Sequence, residues 1–93
     1  MPSYRTIMTV TTLAPGRAPE EVEAAARSVT RLESWDIAIA SGQPRVTARF
    51  TATDDAEARA IHREITTAVR RVADVPRARL AAVVRGRSHY LAP

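Results

Sequence analysis

The segment RVTARFTATDDAEARAIHREITTAVRRVADV, residues 45–75, changes its hydrophobic period part-way along. Its first residues alternate between polar and apolar, which predicts a β-strand with one buried face. Asp54 and Glu57 form a capping-box pattern that marks the start of a helix, and Pro76 is predicted to end that helix. Between them, apolar residues recur every three or four positions and predict one buried stripe: Ala58, Ile61, Ile65, Ala68 and Val72. The rest of the chain must cover these two apolar faces.

Three further strands and one further helix are predicted around this segment. Residues 4–13 are rich in β-branched side chains, and residues 35–40 and 77–87 alternate between large and small or apolar and polar side chains. Each of these three segments is therefore predicted to be a strand. A helix is predicted to begin at Pro19 and to end near Glu33, with an apolar stripe of Val22, Ala25, Ala26, Val29 and Leu32.

The element order is strand, helix, strand, strand, helix, strand, which is the ferredoxin-like, or split βαβ, plan of the α+β class. A turn at residues 41–44 joins the second and third strands into a hairpin. Right-handed crossovers then place the first and third strands at the centre of a four-stranded antiparallel sheet of order 4-1-3-2, with both helices on one face. The other face is expected to be open. The 93 residues form a single domain, with residues 88–93 as a short tail.

Two motifs carry a family resemblance. Pro15-Gly16 lies in the turn between the first strand and the first helix, and Asp54-Asp55-Ala56-Glu57-Ala58 opens the second helix. With this element order, residues 5–85 resemble an ACT-type regulatory domain. The resemblance implies a regulatory, ligand-binding domain, but Arg17-Ala18-Pro19 intervene where the family has a glycine that opens the first helix. The element order is also similar to that of dimeric α/β-barrel proteins, which include small monooxygenases of antibiotic synthesis.

The composition predicts a thin hydrophobic core. Apolar residues make up 45% of the chain, but many of them are alanine, and there are only one Phe, one Trp and two Tyr. Because alanine buries little area, we expect a second copy of the chain to add stability, and we predict a homodimer. The absence of cysteine excludes disulfides and thiolate metal sites. No apolar run reaches the ~20 residues of a membrane span and no signal peptide is visible, so a soluble, cytoplasmic protein without membrane partners is expected.

The net charge of +4 comes from the end of the chain. Residues 1–76 hold ten arginines and ten acidic residues, whereas residues 77–93 hold four arginines and no acid. A GC-rich genome is one explanation for the complete absence of Lys. Guanidinium groups bind carboxylate and phosphate in a bidentate fork. Alternation predicts an arginine-rich open face that either suits an anionic ligand or only keeps the sheet solvated; its candidate residues are Arg5, Arg45, Arg49, Arg79, Arg85 and Arg87, and Arg77 shares the face.

The other candidate residues have structural explanations. His62 lies beside the helix stripe, where a residue at the boundary of the core is expected, and His89 lies in the tail. Asp54 and Asp55 are explained by the helix cap. Trp35 begins a strand on its core-facing side and is expected to be a core residue. The sequence shows no catalytic triad, zinc or phosphate-loop spacing, so no catalytic residue, metal or cofactor is predicted.

The residues leave three functional hypotheses open. The first is a non-catalytic regulatory module that binds a small ligand or a protein and acts as a homo-oligomer. The second is nucleic-acid binding by the arginine face, although open-face positions such as Thr9 and Thr47 lack the aromatic side chains on which RNA bases stack. The third is a small enzyme of the dimeric α/β-barrel kind, for which His62, Trp35 and Tyr90 are the available side chains.

Overall fold

The fold contains two helices and two antiparallel sheets in the computed structural model, which describes residues 1–92. The elements are β1 (Ser3–Thr9), β2 (Thr12–Leu13), α1 (Glu20–Arg27), β3 (Ser34–Ala40), β4 (Gln43–Thr51), α2 (Asp55–Arg70), β5 (Ala73–Asp74), β6 (Arg77–Val84) and β7 (Arg87–Tyr90). Five strands form the main sheet in the order β3-β4-β1-β6-β7, and β2 pairs with β5 in a small second sheet. The predicted α+β class is therefore confirmed.

The main sheet has one strand more than predicted. The four predicted strands are neighbours in the predicted order, but β7 extends the sheet beyond β6, so the four-stranded description is wrong in that detail. Residues 88–93, predicted to be a tail, contribute most of this strand. The cause is a tight turn at Arg85 and Gly86, whose φ angles are 53° and 78°. Two consecutive positive φ values are typical of the type I′ turn, which joins adjacent strands of a hairpin.

The small second sheet explains two wrong boundaries. The first strand was predicted to continue to Leu13, but β1 ends at Thr9, and residues 12–13 leave the main sheet to pair with residues 73–74. The same pairing ends α2 at Arg70, well before Pro76, because the residues of β5 must be extended.

The predicted N-terminal cap of α2 is present. Asp54 Oδ1 accepts a hydrogen bond from the Glu57 amide at 2.9 Å, and Glu57 Oε1 accepts one from the Thr53 amide at 2.9 Å. At the other end, Arg70 Nε and Nη2 donate to the Val75 carbonyl at 3.2 and 3.0 Å, which ties the helix to the segment that follows. Arg70 is exposed on α2 but still has a structural contact.

Helix α1 is shorter than predicted. It spans eight residues and ends at Arg27 instead of near Glu33. The Ser28 hydroxyl donates to the Ala25 carbonyl at 2.6 Å, which satisfies one of the carbonyl groups left free at the helix end. Leu32 is buried as expected, but outside the helix.

The core lies between one face of the main sheet and the two helices. The even-numbered residues of three adjacent strands supply the sheet side: Tyr4, Thr6, Met8, Val46, Ala48, Phe50 and Leu80. The helices supply the other side with Val22, Ala26, Ala58, Ile65 and Val69. Tyr4 lies opposite Phe50 across the β1–β4 pair, and their rings stack with centroids 6.0 Å apart. The period-two and helical patterns of the sequence thus meet in one core.

The outer edge of this core is incomplete. Trp35, Ile37 and Ile39 share the helix-side face of β3, as predicted, but Ile37 is 66% and Ile39 71% exposed, so these two are not core residues. Trp35 is half-buried against the margin of the core. The reason is geometric, because the short α1 leaves part of the edge strand uncovered.

We predict that Ile65→Ala lowers the free energy of unfolding by about 2–5 kcal/mol, because Ile65 is fully buried. Ile61 is only half-buried, contrary to its predicted equal role, so Ile61→Ala should cost less. Arg63→Ala on the exposed side of the same helix should change stability by no more than about 0.5 kcal/mol. Urea denaturation measures all three, and equal losses for Ile65→Ala and Arg63→Ala would contradict the helix orientation.

Candidate anion-binding face

The strand register places five arginines on the face of the sheet that the helices do not cover. Arg5 on β1 lies directly opposite Arg49 on β4. Thr9 on β1 lies between Arg45 on β4 and Arg77 on β6, and Ile7 faces Arg79 on β6. Because directly opposite residues point to the same side of a sheet, these side chains share one surface. We call this surface the open face and define it by Arg5, Arg45, Arg49, Arg77 and Arg79.

Two predicted members of the open face lie elsewhere. Arg85 is in the turn between β6 and β7, with a φ of 53°, and is not part of a strand. Arg87 pairs with Val84, an even-numbered residue of β6, and therefore points to the helix side. The alternating pattern predicted a single strand over residues 77–87. The turn at Arg85 and Gly86 reverses the chain instead, so the residues that follow it point to the sides opposite to those predicted. The face predicted for Arg85 and Arg87 is therefore wrong.

The open face contains a cleft of about 210 Å³, here called the open-face cleft. Three guanidinium-bearing side chains line it, together with the β3–β4 turn, which forms one of its walls. The lining residues are Ile7, Thr9, Ala40, Ser41, Gln43, Arg45, Arg77, Arg79 and Tyr90. None of these described residues is acidic, so the cleft has the charge and the hydrogen-bond donors that an anion requires.

Tyr90 orients one of the three arginines. On β7 it pairs with Ala81, so it lies on the open face, and the Arg79 guanidinium carbon is 3.7 Å from the centre of its ring. This cation–π contact holds the guanidinium at the wall of the cleft. Sequence reasoning missed this role because it assigned Tyr90 to a tail; the Gly86 turn signal was the only local indication of the extra strand.

The arginines at the other end of the open face already have partners. Arg5 Nη1 donates to the Ser88 hydroxyl at 2.8 Å. Arg49 Nε lies 3.7 Å from Glu33 Oε1, and that buried nitrogen has no hydrogen-bond partner within residues 1–92. By contrast, Arg45, Arg77 and Arg79 form no salt bridge with the described residues. On the open face, the guanidinium groups that lack a polar side-chain partner among the described residues are therefore those at the open-face cleft.

A second, larger cleft lies on the helix side, between α2 and the edge formed by β6 and β7. Its volume is about 650 Å³, and we call it the helix-side cleft. It is lined by Arg59, His62, Arg63, Ala78, Arg79, Leu80, Tyr90, Leu91 and Ala92. Arg79 and Tyr90 line both clefts, so they form the boundary between them at the sheet edge.

His62 has the boundary position that the sequence predicted, and it also has a buried partner. Its Nδ1 lies 3.0 Å from the hydroxyl oxygen of Thr6, which is fully buried on β1. Burial lowers the pKa of His62, and the positive charges of Arg63 and Arg70 lower it further. The imidazole is therefore neutral at physiological pH.

The remaining candidates have structural roles or none that the structure defines. Asp54 caps α2, and Asp55 Oδ1 accepts a hydrogen bond from the Tyr4 hydroxyl at 2.8 Å. Burial and, less strongly, this bond raise the pKa of Tyr4 to about 12, so its hydroxyl stays protonated. His89 pairs with Ala82 and is exposed. Residues 1–92 contain no group of three or more side chains that could hold a metal ion.

Comparisons with family models, curated proteins and solved structures found no match to this chain. Within residues 1–92, neither helix combines the length and the apolar character that crossing a membrane requires.

We predict that His62 makes the protein less stable in mild acid. The pKa of His62 is lower in the folded than in the unfolded chain. The contribution of neutral His62 to stability is therefore fully present above its unfolded pKa of about 6.5, and it is lost as the pH falls through its folded pKa. Urea denaturation between pH 7.5 and 5 should show this decline in the wild type and in the control His89→Gln, but a shallower one in His62→Gln. An equal effect of the two substitutions would contradict the assignment.

Proposed function

We propose that this protein is a non-catalytic ligand-binding module of the ferredoxin-like plan that binds a small anion in the open-face cleft and acts as a homodimer. The main support for the ligand is that Arg45, Arg77 and Arg79 line one cleft and that none of the three forms a salt bridge with the described residues. The ACT-type resemblance of the sequence agrees with a regulatory role, which remains part of this proposal.

The strand spacing supports a shared ligand. Arg45 and Arg77 flank Thr9 on its two neighbouring strands, so their Cα atoms are about 10 Å apart at the usual strand spacing of ~4.8 Å. Two arginine side chains can reach one anion across that gap. Like charges on neighbouring strands repel each other, and a bound phosphate or carboxylate would replace that repulsion with charge-assisted hydrogen bonds.

The size and lining of the cleft favour a small anion over a nucleic acid. A volume of about 210 Å³ suits a compact group such as phosphate or a short carboxylate. Nucleic-acid binding on a sheet requires exposed aromatic rings for base stacking. The open face has Tyr90, but Arg79 lies over its ring. The nucleic-acid hypothesis is therefore the weaker one.

We predict that inorganic phosphate raises the melting temperature, whereas chloride at the same ionic strength does not, because only phosphate accepts several guanidinium hydrogen bonds. Arg77→Gln and Arg79→Gln should each weaken phosphate binding about tenfold, the factor expected for the loss of one charge-assisted contact. Calorimetric titration measures this affinity.

Arg85→Gln and Arg87→Gln are the matched controls, because they remove the same charge from the same hairpin but not from the open face. Both should bind phosphate nearly as well as the wild type. Equal losses in all four variants would mean that only the net charge matters, and no binding to the wild type would refute the site.

The edge strand β3 supports the homodimer. Within residues 1–92 it pairs only with β4, so its outer edge has free backbone donors and acceptors. Its sequence, SWDIAIA, has no Lys or Pro to block pairing with another strand. Beside it, an apolar groove of about 270 Å³ is lined by residues that include Leu13, Trp35, Ile37 and Val46.

The pattern of β3 is also self-complementary. If two copies pair antiparallel about a two-fold axis at Ile37, Ile37 meets its own copy and Ile39 faces Trp35 of the second copy, all on the helix side of the joined sheet. Asp36 then faces an alanine of the second copy instead of another carboxylate. The pairing would cover Ile37 and Ile39, which are the most exposed large apolar residues after Met1.

We predict that the wild type sediments as a dimer at micromolar concentration and that Ile37→Lys sediments as a monomer, because a charged side chain would have to be buried in the interface. Val84→Lys is the control, since Val84 is 49% exposed on β6, which lies toward the opposite edge of the sheet from β3. A monomeric wild type, or an equal effect of both substitutions, would contradict pairing through β3.

A further inference from the structure

We infer that the helix-side cleft is a second ligand site, which binds an organic carboxylate with an apolar body. In this site His62 and Arg63 on α2 contact the carboxylate, and Ala78, Leu80 and Leu91 contact the apolar body. This inference does not depend on the open-face cleft, because the two clefts lie on opposite sides of the sheet and share only Arg79 and Tyr90 at its edge.

The hydrogen bond to Thr6 defines which nitrogen of His62 carries the proton. Thr6 is fully buried, and its hydroxyl has no other side-chain hydrogen bond within the described residues. A buried hydroxyl must donate its proton, and the Nδ1 lone pair is the acceptor present, so the proton of the neutral ring is on Nε2. His62 is therefore a hydrogen-bond donor at Nε2.

The Nε2 donor is available to a ligand. It has no hydrogen-bond partner within residues 1–92 and is not buried, and the ring lines the helix-side cleft. A carboxylate oxygen is a better acceptor for it than water in a half-enclosed cleft, since the interaction is charge-assisted. The neutral ring also avoids adding a third charge beside Arg59 and Arg63.

The two helix arginines supply the positive charge. Arg63 is one helical turn from Arg59, is exposed, and forms no hydrogen bond or salt bridge with the described residues. Arg59 Nε donates to the Ala92 carbonyl at 3.3 Å, which leaves its terminal nitrogens free. That bond also places Leu91 and Ala92 as one wall of the cleft. None of the described lining residues is acidic, so the cleft attracts anions.

The other walls select for an apolar body. Ala78 and Leu80 on β6 and Leu91 after β7 form the apolar part of the lining, and Leu91 is held by its amide, which donates to the Leu80 carbonyl at 2.9 Å. A volume of about 650 Å³ is within the range of ligand pockets and far exceeds what an inorganic anion needs. An alkyl or aryl carboxylate fits both the charge and the apolar area.

The test uses octanoate and 1-octanol as probes, because they share the apolar chain and differ in charge. With ¹⁵N-labelled protein, we expect octanoate to shift the His62 Nε2 resonance and the amide signals of Leu80 and Leu91, and octanol to bind at least tenfold more weakly. Arg63→Gln should weaken octanoate binding about tenfold. Arg31→Gln, which removes the same charge from an exposed position outside the cleft, should leave it unchanged.

Several results would overturn the inference. One is equal affinity for octanoate and octanol, and another is equal loss in Arg63→Gln and Arg31→Gln. Shifts confined to Trp35 and Leu13 would assign the binding to the apolar groove beside β3. A His62 ring protonated on Nδ1 in the free protein, seen directly in its ¹⁵N shifts, would remove the donor on which the site depends.

Discussion

The sheet is covered on one side only, and its central strand β1 is paired on both edges, so each residue of β1 has one of two environments. Tyr4, Thr6 and Met8 enter the core, and the residues between them must point to the open face. The same constraint acts on β4 and β6 through the strand register. A single slip of one residue would exchange the core for the arginines. The burial of Phe50 and Met8 thus fixes the positions of the charges on the other side.

This arrangement places like charges close together, and only some of them have a polar partner within the protein. Arg5 and Arg49 face each other on adjacent strands, where like charges are unfavourable, and each has a polar neighbour in Ser88 and Glu33. The arginines at the other end of the open face have no such partners among the described residues. An anion from solution would balance them, which is the reason for proposing an anion site in the open-face cleft.

The second constraint is the small size of the helix layer. Helices of 8 and 16 residues cover the centre of a five-stranded sheet but not its margins. At one margin, Ile37 and Ile39 are left exposed on β3; at the other, the helix-side cleft opens between α2 and β6. Both features are therefore consequences of a thin layer of helices, and both are places where another molecule can bury apolar surface.

Local patterns predicted the parts of the structure that depend on neighbours in sequence. The Asp54 cap and the faces of Arg45 and Arg79 follow from periods of a few residues. The ends of β1 and α2 at Thr9 and Arg70 could not be predicted, because the pairing of residues 12–13 with residues 73–74 is not local. The contact of His62 with Thr6 is likewise long-range, since 56 positions separate the two residues. The misplacement of Arg87 came from one tight turn, which reversed the side to which the following residues point.

The most direct test of the account follows the arginine side chains themselves. A phosphate titration of ¹⁵N-labelled protein, observed at the Nε–H signals of the arginines, reports which guanidinium groups contact the anion. The account predicts saturable shifts for Arg45, Arg77 and Arg79 with one common affinity, and small, unsaturated shifts for exposed arginines outside the cleft. Comparable shifts at all arginines, or none at the three in the open-face cleft, would contradict it.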